Sequence, residues 1–315
     1  MLVNVLLALV SFGILIWSAN KMVEGAASLA ARFHVSNVLI GMTIVAFGTS
    51  APEMIISSIS ASNGQSALAM GNVMGSNIFN IMAVLGVTAV ITMVPVQRQT
   101  SLFEVPLLIA AAGLTAIFYY SGDGGERVIN RVEAGLLLLG FLVFLSYVVI
   151  SSRKQVETAE DEVKVLPIWK SLLWVAVGLC GLIFGGDLLV DKATLIARDL
   201  NITEHVIAVT IVSVGTSLPE LVTSVVAARK KNTDLAVGNV IGSSLFNTFA
   251  ILGLASMISP MDLTQVHDVE MDININLLAA ILLYLFIFTG KGRNIERWEG
   301  GVLLAIFVGY IAYLL

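Results

Sequence analysis

Two glutamates, Glu53 and Glu220, end matching polar motifs inside long apolar stretches of the sequence. One motif reads Gly-Thr-Ser-Ala-Pro-Glu and ends at Glu53; the other reads Gly-Thr-Ser-Leu-Pro-Glu and ends at Glu220. The same offset of 167 aligns residues 41–80 with 208–247, where 19 of 40 residues are identical without a gap. An internal repeat of this kind doubles the whole polar cluster. We therefore expect it to double a functional site.

The residues around both glutamates are oxygen donors. Ala46, Ser50 and Glu53 recur at i, i+4 and i+7, which places them on one helix face. Such a set, without a thiolate or an imidazole, suits hard ions such as Ca²⁺ or Na⁺ rather than zinc or copper. The set comprises Thr49, Ser50, Glu53, Ser76 and Asn80 in the first copy, and Ser213, Thr216, Ser217, Glu220, Ser243 and Asn247 in the second.

The composition indicates that membrane-spanning helices position these residues. The chain has 315 residues, of which 57% are hydrophobic and 12% charged, and its mean hydropathy is +0.93. A soluble domain does not bury that much apolar surface. Segments of about 20 apolar residues are long enough to span a bilayer. The sequence predicts ten of them, at roughly 2–20, 37–61, 68–92, 104–120, 132–150, 168–188, 204–228, 235–258, 272–289 and 298–315.

Five predicted spans precede a polar linker at 151–167, and five follow it. An odd number of spans in each repeat inverts the second copy in the membrane. The predicted fold class is therefore an all-α polytopic membrane protein, with ten transmembrane helices in two inverted five-helix repeats. The first repeat occupies 1–150, 151–167 is a cytoplasmic linker, and the second repeat occupies 168–315.

The loop charges give the predicted orientation. With the N-terminus outside, 13 of the 17 Lys and Arg residues fall in inward loops and four in outward loops. The positive-inside rule then places both termini outside and the central linker in the cytoplasm. We expect an integral multi-pass protein, in the plasma membrane if the source is a prokaryote.

Neither glutamate has a basic partner within the membrane. A charged side chain at the bilayer centre costs about 2.5–3.5 kcal/mol, and a buried carboxylate there indicates a functional site by default. Lys and Arg are absent from the four predicted spans that carry the motifs, which are 37–61, 68–92, 204–228 and 235–258. The compensating positive charge must come from protons or from a bound cation.

Each motif also contains a proline that interrupts its helix. Pro52 has no N–H, so the carbonyl of Gly48 loses its helical partner, and Pro219 does the same to Gly215. Irregular backbone at membrane depth is tolerated only where it is buried or lines a cavity. We expect broken helices whose free carbonyls can bind ions.

Structural explanations exist for parts of the pattern. Ser50 and Glu53, like their repeat mates, match a capping box at the start of a half-helix. The glycine pairs spaced four apart, at 71 and 75 and at 238 and 242, are typical of close helix packing. Asn72 and Asn239 are explained by hydrogen bonds to neighbouring helices, so we leave them out of the predicted site.

At these motifs the sequence resembles the sodium/calcium exchanger family of the calcium/cation antiporter superfamily. The matching segments are Gly48–Glu53 with Gly71–Ser76 and Gly215–Glu220 with Gly238–Ser243. The resemblance implies an ion-binding core of spans two, three, seven and eight, with spans one and six as a sliding pair. It also implies that Glu53 and Glu220 bind Ca²⁺ together with the carbonyls of Thr49 and Thr216.

Sodium sites are implied in the same way. Ser50, Ser76 and the Ala46 carbonyl resemble one of them, while Ser217, Ser243 and the Ser213 carbonyl resemble its mirror. Asn80 and Asn247 resemble facing central positions. Two positions depart from the pattern. Some relatives, including potassium-dependent ones, have Asp where Asn247 stands, and Ser213 differs from its mate Ala46. The first departure bears on stoichiometry and potassium use.

The expected function is exchange of calcium for sodium by alternating access, and proton-coupled cation exchange is the alternative. A passive channel would conduct without a counter-ion. An intramembrane hydrolase would need a His or Lys base near Ser50 or Ser217; the spans around the motifs contain no Lys, and His205 lies at the end of its span. We therefore expect no enzyme activity and no cofactor. The expected partners are calcium and sodium ions and the lipid bilayer, with no nucleic acid and no obligatory protein partner.

Overall fold

The computed structural model describes residues 1–121, 127–152, 165–200, 213–264, 269–290 and 292–314. These residues are almost entirely helical. In chain order the helices are α1 (Leu2–Phe33), α2 (Asn37–Thr49), α3 (Ala51–Ser62), α4 (Ser66–Ile91), α5 (Thr100–Tyr120), α6 (Arg131–Ser152), α7 (Ile168–Asp199), α8 (Ser213–Gly215), α9 (Leu218–Arg229), α10 (Thr233–Ile258), α11 (Val269–Thr289) and α12 (Arg297–Leu314).

Eight helices among the described residues are long and apolar enough to cross a membrane, or nine if the bent pair α2–α3 forms one span. Each of these corresponds to one of the ten predicted spans. The predicted seventh span, 204–228, begins in a part of the chain that lies outside the described residues; its second half corresponds to α8 and α9. The described chain is therefore a multi-pass, all-helical membrane protein.

Two short antiparallel ribbons join the ends of the helices. β1 (Val94–Pro95) pairs with β4 (Asn294–Ile295), and β2 (Val128–Ile129) pairs with β3 (Met261–Asp262). The offset of 167 that relates the sequence motifs also relates β1 to β3, and it places β2 within one residue of β4. Each ribbon therefore joins one strand from each half of the chain.

The helices differ in how far they are buried. In the most apolar 18-residue segment of each helix, 78% of α4 and 83% of α10 is buried inside the protein. The corresponding share in α1 and in α7 is 22%. The central helices are therefore α4 and α10. The peripheral helices α1 and α7 pack against each other along their length, and their buried serines Ser28 and Ser171 are joined by a hydrogen bond of 2.8 Å.

Helices α1 and α7 are each 32 residues long, longer than the predicted spans 2–20 and 168–188. Small residues allow close packing of the two helices. An added Cβ at Gly25, in the extra turns of α1, would lie 2.7 Å from the Ser171 carbonyl oxygen, and one at Gly178, within the predicted span of α7, would lie 2.7 Å from the Ser18 carbonyl oxygen. Contact between the two helices therefore continues beyond the apolar run that defined the predicted end of α1.

Candidate cation-binding site

Both predicted helix breaks are present, and they have the same backbone geometry. Ser50 separates α2 from α3 at φ −85° and ψ 8°, and Ser217 precedes α9 at φ −94° and ψ 8°. Pro52 and Pro219 lie in the first turn of the helix that follows, where a missing N–H is tolerated. The axes of α2 and α3 meet at 49°. Each break brings a glutamate into the first turn of a new half-helix.

The two glutamates are fully buried, and each is bonded to a serine of the other repeat. Ser50 Oγ donates to Glu220 Oε1 at 2.9 Å, and Ser217 Oγ donates to Glu53 Oε1 at 3.0 Å. A second serine approaches each carboxylate from its own repeat: Ser76 Oγ lies 3.4 Å from Glu53 Oε1, and Ser243 Oγ lies 3.4 Å from Glu220 Oε1. The two polar clusters therefore form one site with reciprocal contacts.

These bonds correct the capping-box interpretation of Ser50 and Ser217. Both serines occupy the N-cap position, but neither side chain bonds a backbone N–H of its helix. Each hydroxyl is instead donated to the carboxylate of the opposite repeat. The family resemblance groups Ser76 with Ser50 and Ser243 with Ser217. The hydrogen bonds instead bring Ser76 next to Ser217, whose Oγ atoms lie 3.2 Å apart.

Asn72 and Asn239 join the half-helices to the central helices, as the structural explanation predicted. Asn72 Nδ2 donates to the Glu53 carbonyl at 3.2 Å and to Ser57 Oγ at 2.9 Å. Asn239 Nδ2 donates to the Glu220 carbonyl at 3.4 Å and to Ser224 Oγ at 3.0 Å. These bonds hold the backbone of each glutamate in place, so the two asparagines position the site.

Several buried oxygens in this region have no hydrogen-bond partner among the described residues. Glu53 and Glu220 each use only Oε1, and the Oε2 atoms are unbonded. The side-chain amides of Asn80 and Asn247 and the hydroxyl of Thr216 are unbonded as well. Buried polar atoms normally have partners. This cluster of unbonded carboxylate, amide and hydroxyl oxygens therefore fits a hard cation held by oxygen ligands.

Irregular turns of the central helices carry the two amides. Asn80 lies in a π-helical turn, Phe79–Val84, and Asn247 lies in its repeat mate, Phe246–Leu252. Such wide turns occur frequently at functional sites. The first turn packs against α9, which carries Glu220, and the second packs against α3, which carries Glu53. Each irregular turn therefore packs against the glutamate-bearing helix of the opposite repeat.

The remaining predicted residues lie close by or are described only in part. Ala46 and Thr49 are buried, and Thr49 Oγ1 lies 3.3 Å from the Ala46 carbonyl and 3.2 Å from Asn239 Oδ1. Thr216 lies in the break before α9. Ser213 begins α8, and only its backbone belongs to the described part of the chain. The sequence interpretation missed the bond of Asn77 Nδ2 to Thr248 Oγ1, 2.8 Å long, which links α4 to α10.

The glycine pair of the second repeat is closely packed against α2. An added Cβ at Gly242 would lie 2.4 Å from Met42 Cα, and one at Gly238 would lie 2.2 Å from the Val38 carbonyl oxygen. At the repeat mates Gly75 and Gly71, an added Cβ has no described atom within 4 Å. The predicted helix packing at the glycine pairs is confirmed for α10 against α2. The corresponding face of α4 is partly exposed at both glycines.

The fold and the site define an integral membrane protein with a buried, duplicated polar site whose oxygen atoms suit hard cations. The chain belongs to the sodium/calcium exchanger protein family, whose profile matches residues 3–150 and 170–315. This membership makes the protein a transporter of the cation antiporter class, in a family named for sodium and calcium.

Individual relatives are similar over almost their whole length. The chain is 37% identical over 318 residues to CaxA of Alkalimonas amylolytica, named as a candidate antiporter, covering 98% of each chain. It is 29% identical over 348 residues to the sodium/calcium exchanger MaX1 of Methanosarcina acetivorans, covering 99% of this chain and 98% of the relative. The solved structure of the sodium-calcium exchanger NCX_Mj, soaked with 2.5 mM Na⁺ and 0.1 mM Ca²⁺, matches with a TM-score of 0.84 at 29% identity. That match covers 99% of this chain and 98% of the solved chain.

Proposed function

We propose that the protein exchanges Ca²⁺ for Na⁺ across the membrane by alternating access. The observation that carries the proposal is the pair of buried carboxylates, each bonded to the opposite repeat and each with one unbonded oxygen. Two carboxylates balance one Ca²⁺ or two Na⁺, which allows both ions to compete for one site. Both ions are cargo, and the proposal includes no resident cofactor.

In this proposal Glu53 and Glu220 bind Ca²⁺ with the carbonyls of Thr49 and Thr216. The other predicted residues complete the sodium positions: Ser50, Ser76, Asn80 and Ala46 in one repeat, and Ser217, Ser243, Asn247 and Ser213 in the other. Ten spans in two inverted repeats, with both termini outside and residues 151–167 inside, form the proposed topology. The matching backbone at Ser50 and Ser217 and the offset that relates the strands support the repeat, and an odd number of spans in each copy implies its inversion.

Uptake of radioactive calcium into proteoliposomes tests the proposal. Vesicles are preloaded with Na⁺, K⁺ or choline, and a pH gradient is imposed in a further set. We expect uptake from Na⁺-loaded vesicles only. Uptake that depends on the pH gradient and not on Na⁺ would favour proton coupling. Uptake without any counter-ion would indicate a channel and contradict exchange.

Asn247 predicts that transport does not depend on potassium. An amide oxygen can bind Na⁺ or a water molecule, but it cannot neutralise charge. Two carboxylates leave no further negative charge to hold K⁺ beside Ca²⁺. We expect the same Na⁺-driven calcium flux with K⁺ or choline on the calcium side. A requirement for K⁺ while Asn247 is intact would contradict this charge argument.

Acid should compete with calcium at this site. Carboxylate ligands must be deprotonated to bind a metal ion, so metal affinity falls as protons occupy them. We expect the apparent calcium affinity to fall between about pH 8 and about pH 5, because buried carboxylates titrate in this range. The measurement is Ca²⁺-dependent thermal stabilisation of the purified protein at several pH values. A flat profile would argue against two carboxylates without a basic partner.

A further inference from the structure

A cavity of about 870 Å³ lies away from the cation site, at the ends of the helices. Its lining comes from both long peripheral helices, from the turn between α9 and α10, and from the segment that follows β1. Four lysines line it, with two acidic side chains. They are Lys21, Lys170, Lys230 and Lys231, with Glu24 and Asp234. The volume is within the range of small-molecule sites.

Positive charge exceeds negative charge in this lysine cavity. Glu24 is shared between two lysines, at 3.2 Å from Lys21 Nζ and 3.8 Å from Lys230 Nζ. Asp234 accepts a bond of 2.6 Å from Gln97 Nε2. Within the described part of the chain, Lys170 and Lys231 have no ion pair. The described lining therefore carries two uncompensated ammonium groups.

The lysines are held close together despite their repulsion. Lys21 Nζ lies 4.4 Å and Lys170 Nζ 5.7 Å from the centre of the Trp174 ring, whose face attracts both cations. The pKa of Lys230 is lowered, chiefly by burial, with Lys21 adding to this effect and Glu24 opposing it. An anion inside the cavity would relieve this crowding.

Lys231 adopts a backbone conformation that favours glycine. Its φ is +62°, in the left-handed region that is unfavourable for a residue with a Cβ. The repeat mate is Gly64, at φ +71°, and its turn reads Ser-Asn-Gly where the second repeat reads Arg-Lys-Lys. The positive-inside rule explains basic residues somewhere in this loop. It does not explain a lysine at the one position where the backbone prefers glycine.

We propose that this cavity binds a phosphate-bearing anion, which ties the peripheral pair α1–α7 to the turn between α9 and α10 and slows ion exchange. Ammonium groups from three parts of the fold converge on the cavity, and several lysine point charges suit the multiple oxygens of a phosphate. The anion would contact both the peripheral pair and helices of the cation site. The effect on exchange rests on the proposed function, whereas the binding does not.

The binding experiment uses the full-length protein purified in detergent, without any ion gradient. Thermal unfolding is followed while inorganic phosphate, phosphatidylglycerol or phosphatidylcholine is added. We expect stabilisation by phosphatidylglycerol, by phosphate or by both, and none by phosphatidylcholine. Stabilisation by the lipid alone identifies a headgroup as the source, and stabilisation by both identifies the phosphate itself.

A double variant, Lys170→Gln with Lys231→Gly, separates binding from folding. Glycine relieves the left-handed backbone while it removes the charge, so the variant should fold. We expect its apparent affinity for the stabilising anion to fall about tenfold or more. Arg229→Gln is the matched control, because it removes a charge from the same turn outside the cavity lining. Stabilisation by neither anion, or an equal loss in both variants, would overturn the proposal.

Flux measurements test the effect on exchange. In proteoliposomes that contain phosphatidylglycerol, the double variant should exchange calcium faster than the wild type. Without the anionic lipid the two should be equal. Equal rates in both membranes would overturn the regulatory effect. An absence of flux in every sample would contradict the proposed exchange instead and would leave the binding result standing.

Discussion

We expect Glu53→Gln and Glu220→Gln each to abolish calcium exchange while the protein remains folded. Both carboxylates are fully buried, and each accepts hydrogen bonds from two serine hydroxyls. A glutamine keeps the size and an oxygen acceptor but removes the negative charge that binds the cation. Since a neutral amide is easier to bury than a charge, thermal stability without calcium should be equal or higher.

The measurements are calcium flux in proteoliposomes and Ca²⁺-dependent thermal stabilisation in detergent. Removing one partner of a buried ion pair costs about 3–5 kcal/mol. Because Glu53 or Glu220 forms such a pair with the bound cation, we expect flux to fall about 100-fold or more. Glu270→Gln is the control, because it removes a carboxylate that is half exposed and paired with Arg127 at the surface. Flux at the wild-type level in either buried variant would contradict the assigned roles.

The serines allow a graded test of the contact between the repeats. Ser217→Ala removes the 3.0 Å bond to Glu53, and Ser50→Ala removes the 2.9 Å bond to Glu220. Loss of a hydrogen bond to a charged group costs about 1.5–3 kcal/mol. We expect each variant to weaken calcium binding about 10- to 100-fold, with similar effects for the two serines. A large effect from one serine alone would indicate that the reciprocal contacts are not equivalent in function.

Much of the site follows from the sequence because its causes are local. Pro52 and Pro219 interrupt their helices by their own chemistry, so the breaks can be predicted from a single sequence. The duplication of the motif likewise predicts two glutamates in equivalent surroundings. The absence of Lys and Arg from the surrounding spans is also visible without a structure, and it identifies a cation or a proton as the partner.

Contacts between the two copies were not predictable, because a repeat shows what each copy contains and not how the copies meet. Ser50 and Glu53 match a capping box in sequence, yet Ser50 is bonded to Glu220. The alternative partner lies 170 residues away and enters only through tertiary packing. For the same reason, the sequence interpretation explained Asn239 by hydrogen bonds to neighbouring helices without naming the partners. Thr49 of the other repeat also contacts it.

Helix packing at the glycine pairs is a further feature that the sequence predicts only in outline. The residues Gly71 and Gly75 have the same spacing as Gly238 and Gly242, so the sequence predicts equal helix contacts. The structure describes this contact for the second pair, which touches α2 at Val38 and Met42. The offset of 167 maps these two positions onto 205 and 209, outside the described residues. The atoms that meet at this contact are therefore known from the structure and not from the spacing of the glycines.

Gly242→Ala and Gly75→Ala add the same methyl group at equivalent positions of α10 and α4. A methyl group at Gly242 would lie 2.4 Å from Met42 Cα, 2.7 Å from the Met42 carbonyl oxygen and 2.9 Å from Ala46 Cβ. Most of these atoms are backbone and cannot rotate away, so α10 and α2 must separate. Such overpacking costs about 1–3 kcal/mol. Because Ala46 and Thr49 lie on the displaced helix, we expect lower thermal stability, weaker calcium binding and little transport.

Gly75→Ala introduces the same methyl group at the repeat mate, which is partly exposed and has no described atom within 4 Å of the added Cβ. We therefore expect a smaller loss of thermal stability and of calcium affinity in detergent than in Gly242→Ala. Transport should nevertheless slow, because an inverted repeat requires Gly75 to form the corresponding tight contact when the opposite side closes. The decisive comparison is calcium binding against flux in the two variants. Equal losses of stability would indicate that Gly75 is packed as closely as Gly242, and unimpaired flux in Gly75→Ala would argue that the opposite state closes through other residues.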